Sequence, residues 1–202
     1  MYIMFLFIMF GAMAVLMTSG IFQEVDNHII LWFETMRLPI LNDVMFIVTD
    51  FGMSLLLVPI MLIVGVVLFT YKRYHSMVLL FLLYLIEITV NHQLKEWFAR
   101  ERPSFQHLVD ETFYSFPSGH AMNAATLYPF MAYLFVELVP TFKKRQKTVY
   151  FITALLVILI GMSRMYLGVH YLTDVVGGFV IGLGLFLLFK KIDERICIIR
   201  QK

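Results

Sequence analysis

Residues 76–94 read SMVLLFLLYLIEITVNHQL, a run of 19 residues whose one formally charged side chain at pH 7 is Glu87. A helix that crosses the hydrocarbon core of a bilayer needs about 20 mainly apolar residues. This run therefore predicts a membrane-spanning helix. Five further runs have a similar length and composition: Met1 to Ser19, Met53 to Thr70, Ala121 to Val139, Thr148 to Gly168, and Tyr171 to Phe189.

The overall composition agrees with these runs. The chain of 202 residues is 60% hydrophobic and 15% charged, whereas a soluble domain carries about 25% charged residues. Between the first two runs, Phe22 to Met36 places apolar residues at helical spacing among polar ones, which is typical of an amphipathic helix at the membrane surface. We predict an all-α polytopic membrane protein with six transmembrane helices, this short interfacial helix, and a single domain over residues 1–202.

Basic residues predict the orientation, because Lys and Arg are retained mainly on the cytoplasmic side. Eleven of the 16 lie in two alternate connections and the C-terminal tail: Lys72, Arg73, Lys143, Lys144, Arg145, Lys147, Lys190, Lys191, Arg195, Arg200 and Lys202. Both termini are thus expected in the cytoplasm. Four other basic residues lie near the outward connections against this rule, which indicates another role: Lys95, Arg100, Arg102 and Arg164.

Charge and cysteine content exclude other classes of function. The net charge is +2, and no basic run is interleaved with aromatic residues, so nucleic acid is not an expected partner. Cys197 is the one cysteine, which excludes an intramolecular disulfide. We interpret it as a small apolar side chain that packs near the C-terminus.

A first polar cluster contains Lys95 and, seven residues later, the pair Arg102-Pro103. On a continuous helix seven residues are about two turns, so the two cations would share one face and converge on an anion. Glu87 and Asn91 precede Lys95 at spacings of four and make this face polar toward the outer surface.

A second cluster, Pro117-Ser118-Gly119-His120, comes directly before the fourth predicted span. A Ser-Gly pair at a helix start offers backbone N–H groups, a hydroxyl and the positive end of the helix dipole to a phosphate. The same residues also form ordinary turns and helix starts, so this cluster alone is not specific.

The third cluster contains Ser163-Arg164, His170 and Asp174. If His170 and Asp174 begin the sixth helix, their spacing of four lets the carboxylate accept a hydrogen bond from one imidazole nitrogen. The other nitrogen then remains free as a nucleophile. Arg164 adds a planar guanidinium that suits bidentate phosphate binding.

Each cluster has a simpler interpretation. A lysine or arginine near the end of a span often extends to the lipid head groups, and a histidine in a span can be a packed residue with satisfied hydrogen bonds. His120, His170 and Asp174 could instead hold a transition metal. We expect no metal here, because three phosphate-binding cations would repel a divalent ion.

Taken together, the clusters resemble the three-part signature of the type 2 phosphatidic acid phosphatase superfamily, which also occurs in vanadium haloperoxidases. Residue types and spacings agree with that pattern throughout. Length and loop plan are most similar to the small bacterial members, the type B phosphatidylglycerophosphate phosphatases and the undecaprenyl diphosphate phosphatases. The resemblance implies a multi-pass protein of a bacterial plasma membrane, and the orientation predicted from the basic residues places the active site at the outer face.

The resemblance also implies the roles of the residues. His170 would attack phosphorus, Asp174 would orient it, and His120 would protonate the leaving oxygen. The phosphate oxygens would be held, without a metal or other cofactor, by Lys95, Arg102, Ser118, Gly119 and Arg164. We expect a membrane lipid as substrate (phosphatidylglycerophosphate, phosphatidate or undecaprenyl diphosphate) and no obligate protein partner. Two alternatives are a lipid-linked phosphotransferase and a non-catalytic anion transporter, for which internal symmetry and broken helices would be more typical.

Overall fold

A computed structural model describes the backbone of residues 2–200 and the side chains of residues 3–198. Met1 and Lys202, at the ends of the first predicted span and of the basic tail, lie outside the described residues. Helices are the one kind of regular secondary structure in the described residues, which contain no strands. These helices are α1 Tyr2–Thr18, α2 Gln23–Thr35, α3 Pro39–Asp50, α4 Ser54–Thr70, α5 Tyr74–Phe98, α6 Gly119–Leu138, α7 Pro140–Lys144, α8 Gln146–Tyr166 and α9 Leu172–Arg200.

The all-α prediction is confirmed, and long helices occur at each predicted span. By length and hydropathy, α5, α8 and α9 could each cross a membrane, as could two bent pairs, α1 with α2 and α3 with α4. The helix α6 does not meet that criterion. It lies at the centre of the bundle with 13 of its 20 residues buried, so neighbouring helices rather than lipid cover its polar side chains. The protein is therefore a multi-pass membrane protein.

Two short helices connect the first two predicted spans. The expected amphipathic helix is α2, which turns by 88° from α1 and buries Ile30 and Phe33. The second, α3, was not predicted. It begins at Pro39, whose fixed φ and missing N–H suit the first turn of a helix, and it joins α4 at a bend of 48°.

The prediction that Lys95 and Arg102 lie on one continuous helix is wrong. Helix α5 ends at Phe98, and Ala99 adopts a left-handed conformation with φ 43° while its N–H bonds to the carbonyl of Lys95. Arg102 therefore belongs to the connection 99–118, and tertiary folding of this connection, rather than helical periodicity, brings the two cations together.

Close packing of α9 on α6 places the second and third clusters side by side. A Cβ at Gly178 would lie 2.7 Å from the carbonyl oxygen of Ser118, and one at Gly182 would lie 2.8 Å from that of Met122. Only glycine allows this approach of two helix backbones. As a result, the N-terminal ends of α6 and α9 meet at the same end of the bundle.

Candidate active site

A cavity of about 440 Å³ opens at that end of the bundle. Five of the eight predicted site residues line it: Lys95, Arg102, Gly119, His120 and His170. The other three are buried beside it: Ser118, Arg164 and Asp174. Three stretches of chain that are distant in sequence thus meet around one space.

His170 lies in the turn that precedes α9, because α9 begins at Leu172 and not before the histidine. Its Nδ1 is 3.5 Å from Oδ2 of Asp174 and 3.3 Å from Oγ of Ser115. Its Nε2 is 3.3 Å from Nη1 of Arg102. The predicted contact with Asp174 is present, although longer than a usual hydrogen bond of about 2.7–3.2 Å, and it leaves Nε2 directed to the cationic side of the site.

The electrostatic surroundings keep His170 neutral. Burial of the ring is the main reason why the pKa of His170 lies well below its ordinary value, and the positive charges of Arg102, Arg164 and Lys95 lower it further. An unprotonated ring nitrogen is the form that a nucleophilic histidine requires.

Asp174 is fully buried and rigidly held. Its Oδ2 accepts hydrogen bonds from Ser115 Oγ at 2.5 Å and from the backbone N–H of Tyr171 at 2.8 Å. Its Oδ1 accepts one from Arg100 Nη1 at 2.6 Å. These three donors fix the carboxylate that faces His170.

Arg100 was not among the predicted site residues, although its position against the orientation rule was visible in the sequence. Its guanidinium joins Asp174 to Asp26 of α2, whose Oδ2 lies 2.8 Å from Nη2. Burial alone would lower the pKa of Arg100, but the carboxylates of Asp174 and Asp26 outweigh it and raise that pKa. The link therefore stays charged and ties α2 to the start of α9.

The sequence analysis also missed Asp26, although its position on the apolar face of α2 could have identified it. It precedes Ile30 and Phe33 by four and seven residues, so it lies on the buried apolar face of α2. Besides Arg100, it accepts hydrogen bonds from the backbone N–H of Thr173 at 3.0 Å and from its hydroxyl at 2.6 Å. An acid on an apolar helix face indicates a buried polar partner.

The connection 99–118 positions two of the three predicted cations, and α3 positions the third. Lys95 donates to the carbonyl of Tyr114, and Arg102 donates to that of Phe113 at 2.7 Å. Arg164 is 2% exposed and donates to Thr49 Oγ1 at 2.8 Å. These carbonyl and hydroxyl partners are uncharged, so they hold the side chains in place without cancelling the positive charges.

Glu111 is a further residue of the site that the sequence analysis missed. Nothing in the sequence separates it from the other acidic residues of the connection 99–118. Its carboxylate pairs with Arg164 and lies 3.5 Å from Nη2 of Arg102. Burial lowers the pKa of Arg102, an effect that the charges of Glu111 and Asp174 oppose. Glu111 thus offers an anionic group to the same two guanidinium groups that are expected to bind phosphate.

Ser118 and Gly119 form the predicted helix start. Ser118 is the N-cap residue of α6 and makes no capping hydrogen bond with its side chain. Its buried Oγ has no hydrogen-bond partner among the described residues. The hydroxyl and the first N–H groups of α6 are therefore available to an anion, with His120 in the first turn.

A group of potential metal ligands lies at the opposite end of the bundle. Within the described part of the chain, the ligand atoms of His75, Asp193 and Cys197 lie within 4.8 Å of one another. Protein donors already contact them: Arg73 Nη1 is 2.9 Å from the Cys197 sulfur, and Ser76 Oγ is 2.6 Å from Asp193 Oδ1. This group is separate from the cavity that contains His170.

Comparison with known proteins identifies similar sequences and structures. Residues 75–196 match the PAP2 superfamily. Phosphatidylglycerophosphatase B of Bacillus subtilis (strain 168) is 43% identical over 197 residues, which cover 98% of this chain and 97% of that protein. Lipid A 4'-phosphatase of Porphyromonas gingivalis is 33% identical over 99 residues, 44% of this chain and 38% of that protein.

Two solved structures share the fold. One is the crystal structure of the first transmembrane PAP2 type phosphatidylglycerolphosphate phosphatase from Bacillus subtilis, with a TM-score of 0.94, 42% identity, and coverage of 97% of this chain and 98% of that one. The other, Aquifex aeolicus LpxE, has a TM-score of 0.67 at 24% identity, and covers 83% of this chain and 95% of that one. The second likeness concerns the fold alone.

Proposed function

Because this chain belongs to the PAP2 superfamily and is a hydrolase of lipid phosphate esters, we propose that it removes the terminal phosphate of phosphatidylglycerophosphate through a phosphohistidine. The observation that carries this proposal is the meeting of His170, His120 and the cations at one cavity. The choice of substrate is supported by the relative that covers nearly the whole chain.

In the first step, Nε2 of His170 attacks phosphorus while the bond to the leaving oxygen breaks. His120 gives its proton to that oxygen, and the phosphoryl group stays on His170. Water then attacks, His120 takes the proton of the water, and the P–N bond breaks to release inorganic phosphate. Asp174 maintains the orientation of the His170 ring throughout.

The phosphate oxygens are held by Lys95, Arg102, Arg164, the Ser118 hydroxyl and the N–H of Gly119. Carbonyl groups of the connection 99–118 hold Lys95 and Arg102 in advance, and Thr49 holds Arg164. These cations can therefore stabilise developing charge without rearranging during the reaction. Glu111 must give up its two guanidinium partners when phosphate enters. This set of fixed donors and charges takes the role that metal ions have in many phosphoryl-transfer enzymes.

We also propose six membrane spans, formed by α1, α4, α5, α6, α8 and α9, with α2 at the interface and the cavity at the outer face. At this depth a head-group phosphate reaches the cations while the lipid tail stays in the bilayer.

Phosphate release in the presence of a chelator tests the function directly. Purified protein in excess EDTA should release inorganic phosphate from phosphatidylglycerophosphate at the same rate as without EDTA. Transfer of the phosphate to another lipid, with no free phosphate, would favour the phosphotransferase alternative. A strict requirement for an added divalent cation would contradict the proposed mechanism.

The pH dependence should show the depressed pKa of His170. Because the ring stays neutral as pH falls through about 6.5, the ordinary histidine value, the acid limb of kcat/KM that belongs to His170 should lie below that pH. Arg102→Gln removes one of the charges that lower this pKa, so the acid limb should move to higher pH. Titration of the substrate affects the wild type and Arg102→Gln equally, so it cannot cause a difference between their acid limbs. Identical acid limbs would refute the electrostatic coupling between Arg102 and His170.

Selective labelling of cysteines tests the orientation. In a Cys197→Ala background, Glu101→Cys in the connection 99–118 should react with an impermeant maleimide added to intact cells. Lys143→Cys, in the connection between α6 and α8, should react only after the cells are opened. The reverse pattern would place the cavity at the cytoplasmic face.

A further inference from the structure

Two buried oxygen atoms of cavity-lining residues have no hydrogen-bond partner among the described residues, Oε2 of Glu87 and Oδ1 of Asn123. Glu87 is 1% exposed and Asn123 is 7% exposed. Buried polar groups in proteins are nearly always paired, since an unpaired group destabilises the fold. Two such groups on the wall of one cavity therefore indicate a ligand that supplies their partners.

Oδ1 of Asn123 requires a hydrogen-bond donor, whereas Oε2 of Glu87 accepts a hydrogen bond as a carboxylate and can donate one as a carboxylic acid. The carboxyl group of Glu87 keeps an accepting oxygen in either protonation state. The amide of Asn123 is oriented by its Nδ2, which donates to the carbonyl of Gly52 at 3.1 Å, so that Oδ1 is the remaining acceptor. Phosphate dianions and ester carbonyls offer only acceptors, whereas a hydroxyl group can donate to Asn123 and accept from Glu87.

The two residues lie on the membrane side of the phosphate site. Glu87 precedes Lys95 by eight residues on α5, which corresponds to about 12 Å of helix rise. Asn123 follows His120 by three residues on α6, about 4.5 Å farther from the helix start. A lipid that places its phosphate beside His170 extends its leaving group along this wall.

We propose that Glu87 and Asn123 form a subsite that binds a hydroxyl group of the leaving group, located between the scissile phosphate and the lipid tail. This inference rests on the proposed function and specifies its substrate. The head group of phosphatidylglycerophosphate carries such a hydroxyl on its glycerol unit. Phosphatidate and undecaprenyl diphosphate carry none, so the subsite favours the first lipid over the other two.

A pair of matched substrates tests the proposal. One is phosphatidylglycerophosphate, and the other is its analogue with hydrogen in place of the head-group hydroxyl. The wild-type enzyme should prefer the hydroxylated lipid by about tenfold in kcat/KM, as expected for loss of a hydrogen bond to a buried acceptor. Glu87→Met should reduce this preference to about twofold or less, through slower cleavage of the hydroxylated lipid alone.

Two variants serve as controls. Glu87→Gln keeps an accepting carbonyl and should retain most of the preference. His92→Gln alters an exposed residue of the same cavity that pairs with Glu96 and should leave the preference unchanged. Glu87→Met should also unfold at an equal or higher Tm, because it removes an unpaired buried group.

The outcomes separate the subsite from the function. Equal cleavage of both lipids by the wild-type enzyme would overturn the subsite and leave the proposed phosphatase activity in place, and this measurement needs no variant. A full preference in Glu87→Met would exclude Glu87 as its source. Cleavage of neither lipid would overturn the proposed function and the subsite together.

Discussion

His170→Ala is expected to lower kcat by at least about 10³-fold, because the phosphoryl group then has no residue to which it can transfer. The imidazole is buried between Asp174 and the cations of the cavity, whereas the cavity-lining His92 and its partner Glu96 are both exposed. The measurement is phosphate release under saturating lipid, with single-turnover quenching to detect an acid-labile phosphoryl label on the protein.

A matched control for this change is His28→Ala, since His28 is exposed on α2 and has no proposed role. It should retain full activity and the full yield of labelled protein. If His170→Ala kept half of the wild-type rate, or still acquired the phosphoryl label, the assignment of the nucleophile would be wrong.

Arg102→Gln is expected to lower kcat/KM by about 10²–10³-fold, the range seen when a single fixed donor to a developing negative charge is removed. Arg102 is suited to this role because Phe113 and Val169 hold its guanidinium through their carbonyl groups, beside Nε2 of His170. Glutamine keeps a polar side chain of moderate length but loses the charge and the planar fork of donors.

Arg145→Gln is the corresponding control, because Arg145 is exposed near the opposite end of the bundle. Its activity should equal that of the wild type. Circular dichroism and gel filtration in detergent would show whether both variants keep the fold. A change of less than threefold for Arg102→Gln would indicate that this residue binds the loop backbone rather than the phosphate.

Much of the architecture follows from local properties of the chain. Runs such as residues 76–94 cannot satisfy their backbone polar groups in a bilayer except as helices, so their existence and approximate ends were predictable. The candidate site residues were also visible, because Lys95 and Arg102 depart from the orientation rule and His120 and His170 are ionisable groups beside such runs. The first and last residues of the helices were predicted less accurately, since helix ends depend on single residues such as Ala99 and Pro39.

The site residues that the sequence analysis missed are held by contacts between residues far apart in the chain. Arg100 contacts Asp26 and Asp174 across 74 residues in each direction, and Glu111 contacts Arg164 across 53. No periodicity encodes such pairs, because the connection 99–118 has no regular secondary structure that would fix the direction of its side chains.

By itself, the sequence determined that the chain is a helical membrane protein with clusters of ionisable residues that resemble those of a phosphatase family, because hydropathy and residue type are properties of short segments. Only the tertiary structure decided which carboxylates pair with which cations and which cavity oxygens stay unpaired. Those features depend on the packing of α6 against α9 and on the path of one irregular connection, and long-range packing is a property of the whole chain.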